Sequence, residues 1–563
     1  MSEFEELFMG ILFFVVVGIV AFIIFNLFSS RKASQNLRQR LINAFGKAPT
    51  SFDSAIWGSV TDYWDQKLKY ETIDVAIDDL TWSDLDMDDV FKQMDTCLTS
   101  VGDEVLYATL HEPSWADEPL RKRDQLITFF ADNPKERLDI QMILAKLGKA
   151  NYNDVSALIF EIEMKALKNP MVYTILSIIP FLCLGVCLID PTIGLMSLII
   201  SIIVNGVVYY YFKKEIAKNL LTIQYLSAIL RCCKRLLGYE TNGSLKVLVD
   251  QIGQDNVPFK AIAGKLSGVM MGGGSDLDLL LDYLKIITLY DFRTYNKAIA
   301  LVSKNKEAFH RLYQNIGELD MAITLASYRE SLSGTMTPTF TEAFTVVATA
   351  LYHPLLKSPV PNDIQLRQNS LITGSNASGK STFVKALAIN SIFAQTIYTC
   401  TASSFSLSHC LPITSMAVRD DILAGDSYFM AEIKSLKRTI DQVNNYPCLC
   451  FIDEILKGTN TIERIAASSA ILNYLDGRHC LCLIATHDIE LTNILVNSYD
   501  NYHFQETITE ETIQFDYQLH AGPAQTKNAI ALLNYLEFDP AIIENANELV
   551  DTFSTTEKWP VLS

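Results

Sequence analysis

"SLITGSNASGKSTFVKALA", Ser370 to Ala388, sets a short apolar run before a glycine-flanked loop and a helix-forming run after it. It fits G-x-x-x-x-G-K-[ST] with Gly374, Gly379, Lys380 and Ser381. Strand, loop and helix in that order are what the motif needs. Glycines let backbone N–H groups close on phosphate oxygens, and a helix N-terminus favours negative charge. Gly374, Ser375, Asn376, Ala377, Ser378, Gly379, Lys380, Ser381 and Thr382 are therefore the expected cradle. Lys380 is expected against the β- and γ-phosphates of ATP, and Ser381 on Mg2+.

Two later stretches complete the chemistry. "YPCLCFIDE" is an apolar strand ending in Asp453 and Glu454, at the carboxyl end where ligands bind in parallel sheets. Asp453 is expected to hold Mg2+, and Glu454 to orient or deprotonate the attacking water. "CLCLIATHD" ends in Thr486 and His487, which places an imidazole where it can sense the γ-phosphate. Catalysis is thus assigned to Lys380, Glu454 and His487. Cys448 with Cys450 and Cys480 with Cys482 form two C-x-C pairs, a spacing that suits a metal. Both lie in runs that read as buried strands, where Cys serves as a small hydrophobe, and the strand reading is preferred.

Outward from the loop, the chain of 563 residues is long enough for two or three domains with their own cores. A net charge of -18 argues against general nucleic-acid binding, because phosphate neutralisation needs clustered Lys and Arg. Eleven scattered cysteines fit reduced thiols in the cytosol. Apolar residues make up 49%, with part of the excess in three segments. Leu7 to Phe28 is long enough to cross a hydrocarbon core of roughly 30 Å, and its acidic flank argues against a cleaved signal. Met171 to Ile189 and Thr192 to Phe212 flank Asp190 and Pro191 and read as a helical hairpin. Arg31, Lys32, Arg38 and Arg40 follow the first run, Lys165 and Lys168 precede the hairpin, and Lys213, Lys214 and Lys218 follow it. The positive-inside rule then expects a multi-pass protein of the inner cell membrane, with the N-terminus and the Asp190 turn outside and the remainder cytoplasmic.

The remainder divides by texture. Apolar residues at three- and four-residue spacing make Trp64 to Lys149 and Ile216 to about Ser331 helical. "MMGGGSD", Met270 to Asp276, lacks a following Lys-Ser/Thr and reads as a turn. Strand-rich texture begins near residue 336. The expected organisation is an anchor over 1–30, a helical domain over 31–168, a transmembrane hairpin over 169–213, more helical domain over 214–335 and an α/β P-loop domain over 336–563.

"TGSNASGKST", "GDSYFMAEI", "FIDEILKGTNT", "ATHDIELT" and the tail "HAGPAQTKNAIALLNYLEFDPAIIENANEL" resemble the ATPase domain of the MutS mismatch-repair family, in its order and spacing. A weaker resemblance joins "DDVFKQMDTCLTSVGDEVLYATLHEP" and "IGELDMAITLAS" to the family's core and lever helices. The resemblance implies an ABC-type P-loop ATPase domain on a helical core/lever domain that the membrane hairpin interrupts, with three transmembrane helices in all. It implies a homodimer whose composite sites are each completed by a partner serine, here Ser427, and it matches Asn376 to the family's loop asparagine. The family's usual "GPNMGGKST" is "GSNASGKST" here. The mismatch-reading and connector domains, with the Phe-x-Glu wedge that the family sets against a mispaired base, are expected to have no room before the lever-like helices.

The expected function is a membrane-anchored MutS-like ATPase that couples Mg-ATP binding and hydrolysis to dimer closure and lever movement. Two alternatives stay open. One is a membrane-tethered DNA-clamping protein, although the net charge does not favour DNA as a partner. The other is the energy-coupling part of a transporter, against which "SLSGT" lies before the phosphate loop rather than after it.

Overall fold

Asp190 and Pro191 do what their chemistry suggests at the start of a helix. The Asp190 carboxylate accepts from the backbone N–H groups of Thr192 (2.9 Å) and Ile193 (3.1 Å), and Pro191 occupies the first turn. This is the turn between two antiparallel apolar helices, Pro170–Cys187 and Pro191–Leu236, in a computed structural model of the chain. The structure describes residues 28–150, 155–160, 169–260, 283–375, 378–416, 428–508, 513–524, 529–556 and 558–561, with a few isolated positions. The first apolar run falls almost wholly outside them, as do Met270 to Asp276, Asn376, Ala377 and Ser427.

Residues cluster into two compact units. The first comprises Met1–Thr72, Asp95–Tyr107 and Gln125–Ser331, and the regular elements among its described residues are all helices. Its two apolar helices are long enough to cross a membrane, and only 22% and 17% of their most apolar windows is buried. Pro180 sits inside the first of them and cannot supply the N–H that the Leu176 carbonyl would take in a regular helix. Asn205 of the second helix donates to that carbonyl at 3.0 Å and to the Ile287 carbonyl at 2.6 Å. The second helix does not stop at residue 213, where composition suggested a boundary. It continues unbroken to Leu236 and buries Ile223, Leu226, Ile229, Cys233 and Leu236 at helical spacing.

The second unit comprises Ile73–Met94, Ala108–Asp124 and Leu332–Ser563. Twelve strands are described: β1 (Thr339–Phe340), β2 (Val346–Leu351), β3 (Asn362–Leu366), β4 (Ser370–Thr373), β5 (Ser404–Leu407), β6 (Leu411–Ser415), β7 (Cys448–Asp453), β8 (Cys480–Ala485), β9 (Asp500–His503), β10 (Glu506–Ile508), β11 (Ile513–Phe515) and β12 (His520–Ala521). Six form a sheet in the order β12-β9-β4-β8-β7-β6, parallel except for β12 at one edge. Every residue of β4 and β8 is buried, as a parallel sheet covered on both faces requires. A second sheet, β1-β5-β2-β3, and the pair β10-β11 complete the strands.

The opposite edge is covered from far away in sequence. Helix Asp79–Asp84 lies on β6. Thr81 Oγ1 accepts from Thr414 N at 3.2 Å, and Asp84 accepts from Thr414 Oγ1 at 2.6 Å and from Met416 N at 3.0 Å. Texture alone had placed residues 73–94 with the helical region, whereas their contacts put them in the same unit as the sheet.

Candidate functional site

β4 delivers the glycine-flanked loop, and helix Lys380–Thr396 leaves it. Gly374 has φ +140°, and a Cβ there would lie 2.7 Å from the Phe504 carbonyl oxygen, so no side chain fits. Gly379 has φ +103° at the helix start. Lys380 is buried and turns back over the loop, its Nζ donating to the carbonyls of Gly374 (2.7 Å) and Ser375 (2.8 Å). Burial lowers its pKa to about 8, opposed by Asp453 and Glu454.

The parallel sheet brings the other strand ends alongside. Ser381 Oγ donates to Asp453 Oδ2 at 2.5 Å. Burial raises the Asp453 pKa and the bond from Ser381 counters it. A hydroxyl and a carboxylate at this distance form the hard oxygen pair that suits Mg2+. Glu454 follows with a left-handed φ of 59°, its N–H held by the Ala485 carbonyl at 2.9 Å. Strain of this kind is stored where surrounding structure over-determines it. Glu454 Oε1 stands 3.0 Å from His487 Nε2, and Oε2 pairs with Lys457. The hydrogen bond from His487 and the pair with Lys457 hold the carboxyl down at about 2.

His487 Nε2 also lies 3.4 Å from Lys380 Nζ. One ring nitrogen cannot donate and accept at once, and the shorter contact makes it a donor to Glu454. Ser381 therefore meets Asp453, while Lys380, His487 and Glu454 form a continuous row. Ser375 Oγ is buried without a hydrogen-bond partner among the described residues, and Ser378 Oγ donates to the Ser375 carbonyl at 2.8 Å. Thr382 lies in the first turn of the helix that Lys380 begins. Asn376, Ala377 and Ser427 lie outside the described residues, and helix Tyr428–Val443 begins one position after Ser427.

Three features were not read from the sequence. A cavity of about 360 Å³ adjoins the loop at Gly379, Ser381 and Thr382 and is walled by Tyr352, His353, Leu356, Phe504 and Tyr517. Burial holds His353 at about 4, so it is neutral at physiological pH. Glu432, also buried, accepts from Lys457 N at 2.9 Å and so fixes the residue that pairs with Glu454. The third is Asp84, whose bonds to Thr414 and Met416 fix the end of β6 from which the chain runs on toward Ser427. Replacing Asp84 by Ala is expected to cost roughly 2–3 kcal/mol of stability, since it strips the acceptor from a buried N–H and a buried hydroxyl. Urea unfolding of the full chain, followed through nearby Trp82, measures this. A midpoint equal to that of the parent would remove the strap from the account.

Comparison with known proteins finds that residues 370–554 match the family described as MutS domain V. The chain is 31% identical over 278 residues to MutS protein homolog 4 of Homo sapiens, covering 46% of this chain and 29% of that protein. It is 27% identical over 298 residues to the DNA mismatch repair protein MutS of Listeria innocua, covering 51% of this chain and 34% of the relative. A similar match, 29% over 278 residues, joins it to the DNA mismatch repair protein MutS of Pseudothermotoga lettingae. The chain spans about a third of the length of these curated relatives.

Proposed function

We propose, from the premise that the chain belongs to the MutS family, that it is a membrane-anchored P-loop ATPase coupling Mg-ATP binding and hydrolysis to closure of two ATPase domains and movement of its helical domain. The observation that carries this reading is the meeting of Lys380, Ser381, Asp453, Glu454 and His487 at the carboxyl ends of three neighbouring parallel strands. Lys380 and the loop N–H groups would receive the phosphates, and Ser381 and Asp453 would hold Mg2+, which supplies charge neutralisation when bound. With its carboxyl held near 2, Glu454 stays ionised and orients water through its oxygens, while His487 fixes its direction. The cavity walled by Tyr352, His353 and Tyr517 suits a flat aromatic base.

The membrane part rests on the two exposed apolar helices and the basic residues that flank them. The reading is a multi-pass protein of the inner membrane with the first apolar run as a third span. In a Cys187→Ser background, a cysteine in place of Ile189 is expected to react with an impermeant maleimide in intact cells, whereas one in place of Lys246 stays unlabelled until lysis. The reverse pattern would overturn the orientation.

A second reading, a tethered DNA-clamping protein, is favoured by the naming of two relatives as DNA mismatch repair proteins and opposed by the net charge of -18. Steady-state ATPase of the full chain in lipid nanodiscs separates the two: stimulation by duplex DNA favours the clamp, and indifference to DNA favours the first reading.

A further inference from the structure

The two C-x-C pairs become more than strand filler once β7 and β8 lie side by side. Cys450 is the direct register partner of Cys482, and Cys480 stands two residues before Cys482, on the same face of β8. The three sulfur atoms lie within 4.8 Å of one another, and those of Cys480 and Cys482 are 3.8 Å apart. Ligand sulfurs at about 2.3 Å from a d10 ion stand roughly 3.8 Å from each other in a tetrahedral arrangement. The closest pair already has that spacing, and the third sulfur needs to close by no more than about an ångström. Cys450 and Cys482 are fully buried, and Cys480 is 6% exposed, which leaves it the side of entry.

The donor set decides the ligand. Three sulfurs with no carboxylate among them select a soft cation over the Mg2+ expected at Ser381 and Asp453. A cation also cancels thiolate charge that such a dry interior would otherwise exclude. We infer that Cys450, Cys480 and Cys482 form a binding site for one thiophilic d10 cation, Cu(I) or Zn(II), which clips β7 to β8. Because β7 runs straight into Asp453 and β8 into Thr486 and His487, the clip fixes the mutual position of the two strand ends. The site stands on the sheet geometry alone and does not depend on ATP hydrolysis.

The test uses the full chain in detergent with a phosphine reductant, stripped by chelator and then loaded in two arms. One arm titrates Cu(I) against bicinchoninate, the other Zn(II) against a chromophoric chelator. At least one arm is expected to show a single ion per chain, held roughly a hundredfold or more tighter than in Cys482→Val, together with a rise in Tm on loading. Cys410→Val, which removes a buried cysteine outside the trio, should keep the ion. If Cys482→Val does not fold, Cys480→Ser at the accessible corner gives the same reading. Failure of both ions to bind, or retention of the same stoichiometry in the Cys480 and Cys482 variants, overturns the site.

Discussion

Replacing Glu454 by Gln is expected to leave ATP binding intact and to slow turnover by roughly two or more orders of magnitude. The amide keeps the size of the side chain and leaves Lys380, Ser381 and the loop in place, so the direct contacts expected to the phosphates are kept. It removes the negative charge that faces His487 and Lys457. The amide retains one acceptor oxygen for His487 but turns the other position into a donor, so the bond from His487 loses its charge assistance and a water that Glu454 would orient loses a carboxylate acceptor. Binding of a fluorescent ATP analogue and steady-state phosphate release separate the two effects. Unchanged turnover would take Glu454 out of the mechanism. Because the carboxyl is held near 2 rather than near the ordinary glutamate value, an acid limb in the rate at pH 5 to 7 cannot be assigned to it.

The second large effect is a recovery. Lys380→Ala and Ser427→Ala are each expected to be inactive, and an equal mixture of the two is expected to regain roughly a quarter of the parental rate, the statistical share of intact sites if two-fold dimers form at random. The reason is geometric. The loop, the Ser381–Asp453 pair and Glu454 all sit at the carboxyl ends of neighbouring strands of one sheet, which leaves the outer side of a γ-phosphate open. A hydroxyl and N–H from the start of helix Tyr428–Val443 of a second copy could close it. A γ-phosphate that contacts both copies only when they are joined favours the closed pair, and its loss releases them. Mixtures that remain inactive although the two variants bind each other would defeat the shared site.

How much of this was legible depended on how local the determinants were. The phosphate loop is written in consecutive residues, and Gly374 and Gly379 adopt backbone angles that explain why the motif needs glycine. Asp453, Glu454 and His487 were legible as polar residues ending apolar strands, since a parallel sheet lines up such ends. The cavity wall was not, because Tyr352 and Tyr517 are distant in sequence and no period connects them. Asp84 and Thr414 are 330 residues apart. Apolar spacing indicates that residues 79–84 form a helix but not which sheet edge it covers. The C-x-C spacing was visible, while the pairing of Cys450 with Cys482 depends on strand register, which neither run encodes alone. The helix through residue 213 hid its continuity for a related reason: composition changes there from apolar to charged, but the backbone does not.

That continuity turns the helix Pro191–Leu236 into a strut. Its apolar part, Pro191–Lys213, is 23 residues long, about 34 Å at 1.5 Å per residue, against a hydrocarbon core of roughly 30 Å. A strut longer than the slab it crosses leans, and it leans further as the slab thins. A jointed helix would absorb the lean at its joint. This one has none before Leu236, so any inclination imposed on its apolar part is carried whole to Ile223, Ile229 and Cys233, where the helix is gripped by its own unit. Under the proposed membrane reading, acyl-chain length would become a mechanical input, carried as the inclination of one continuous helix.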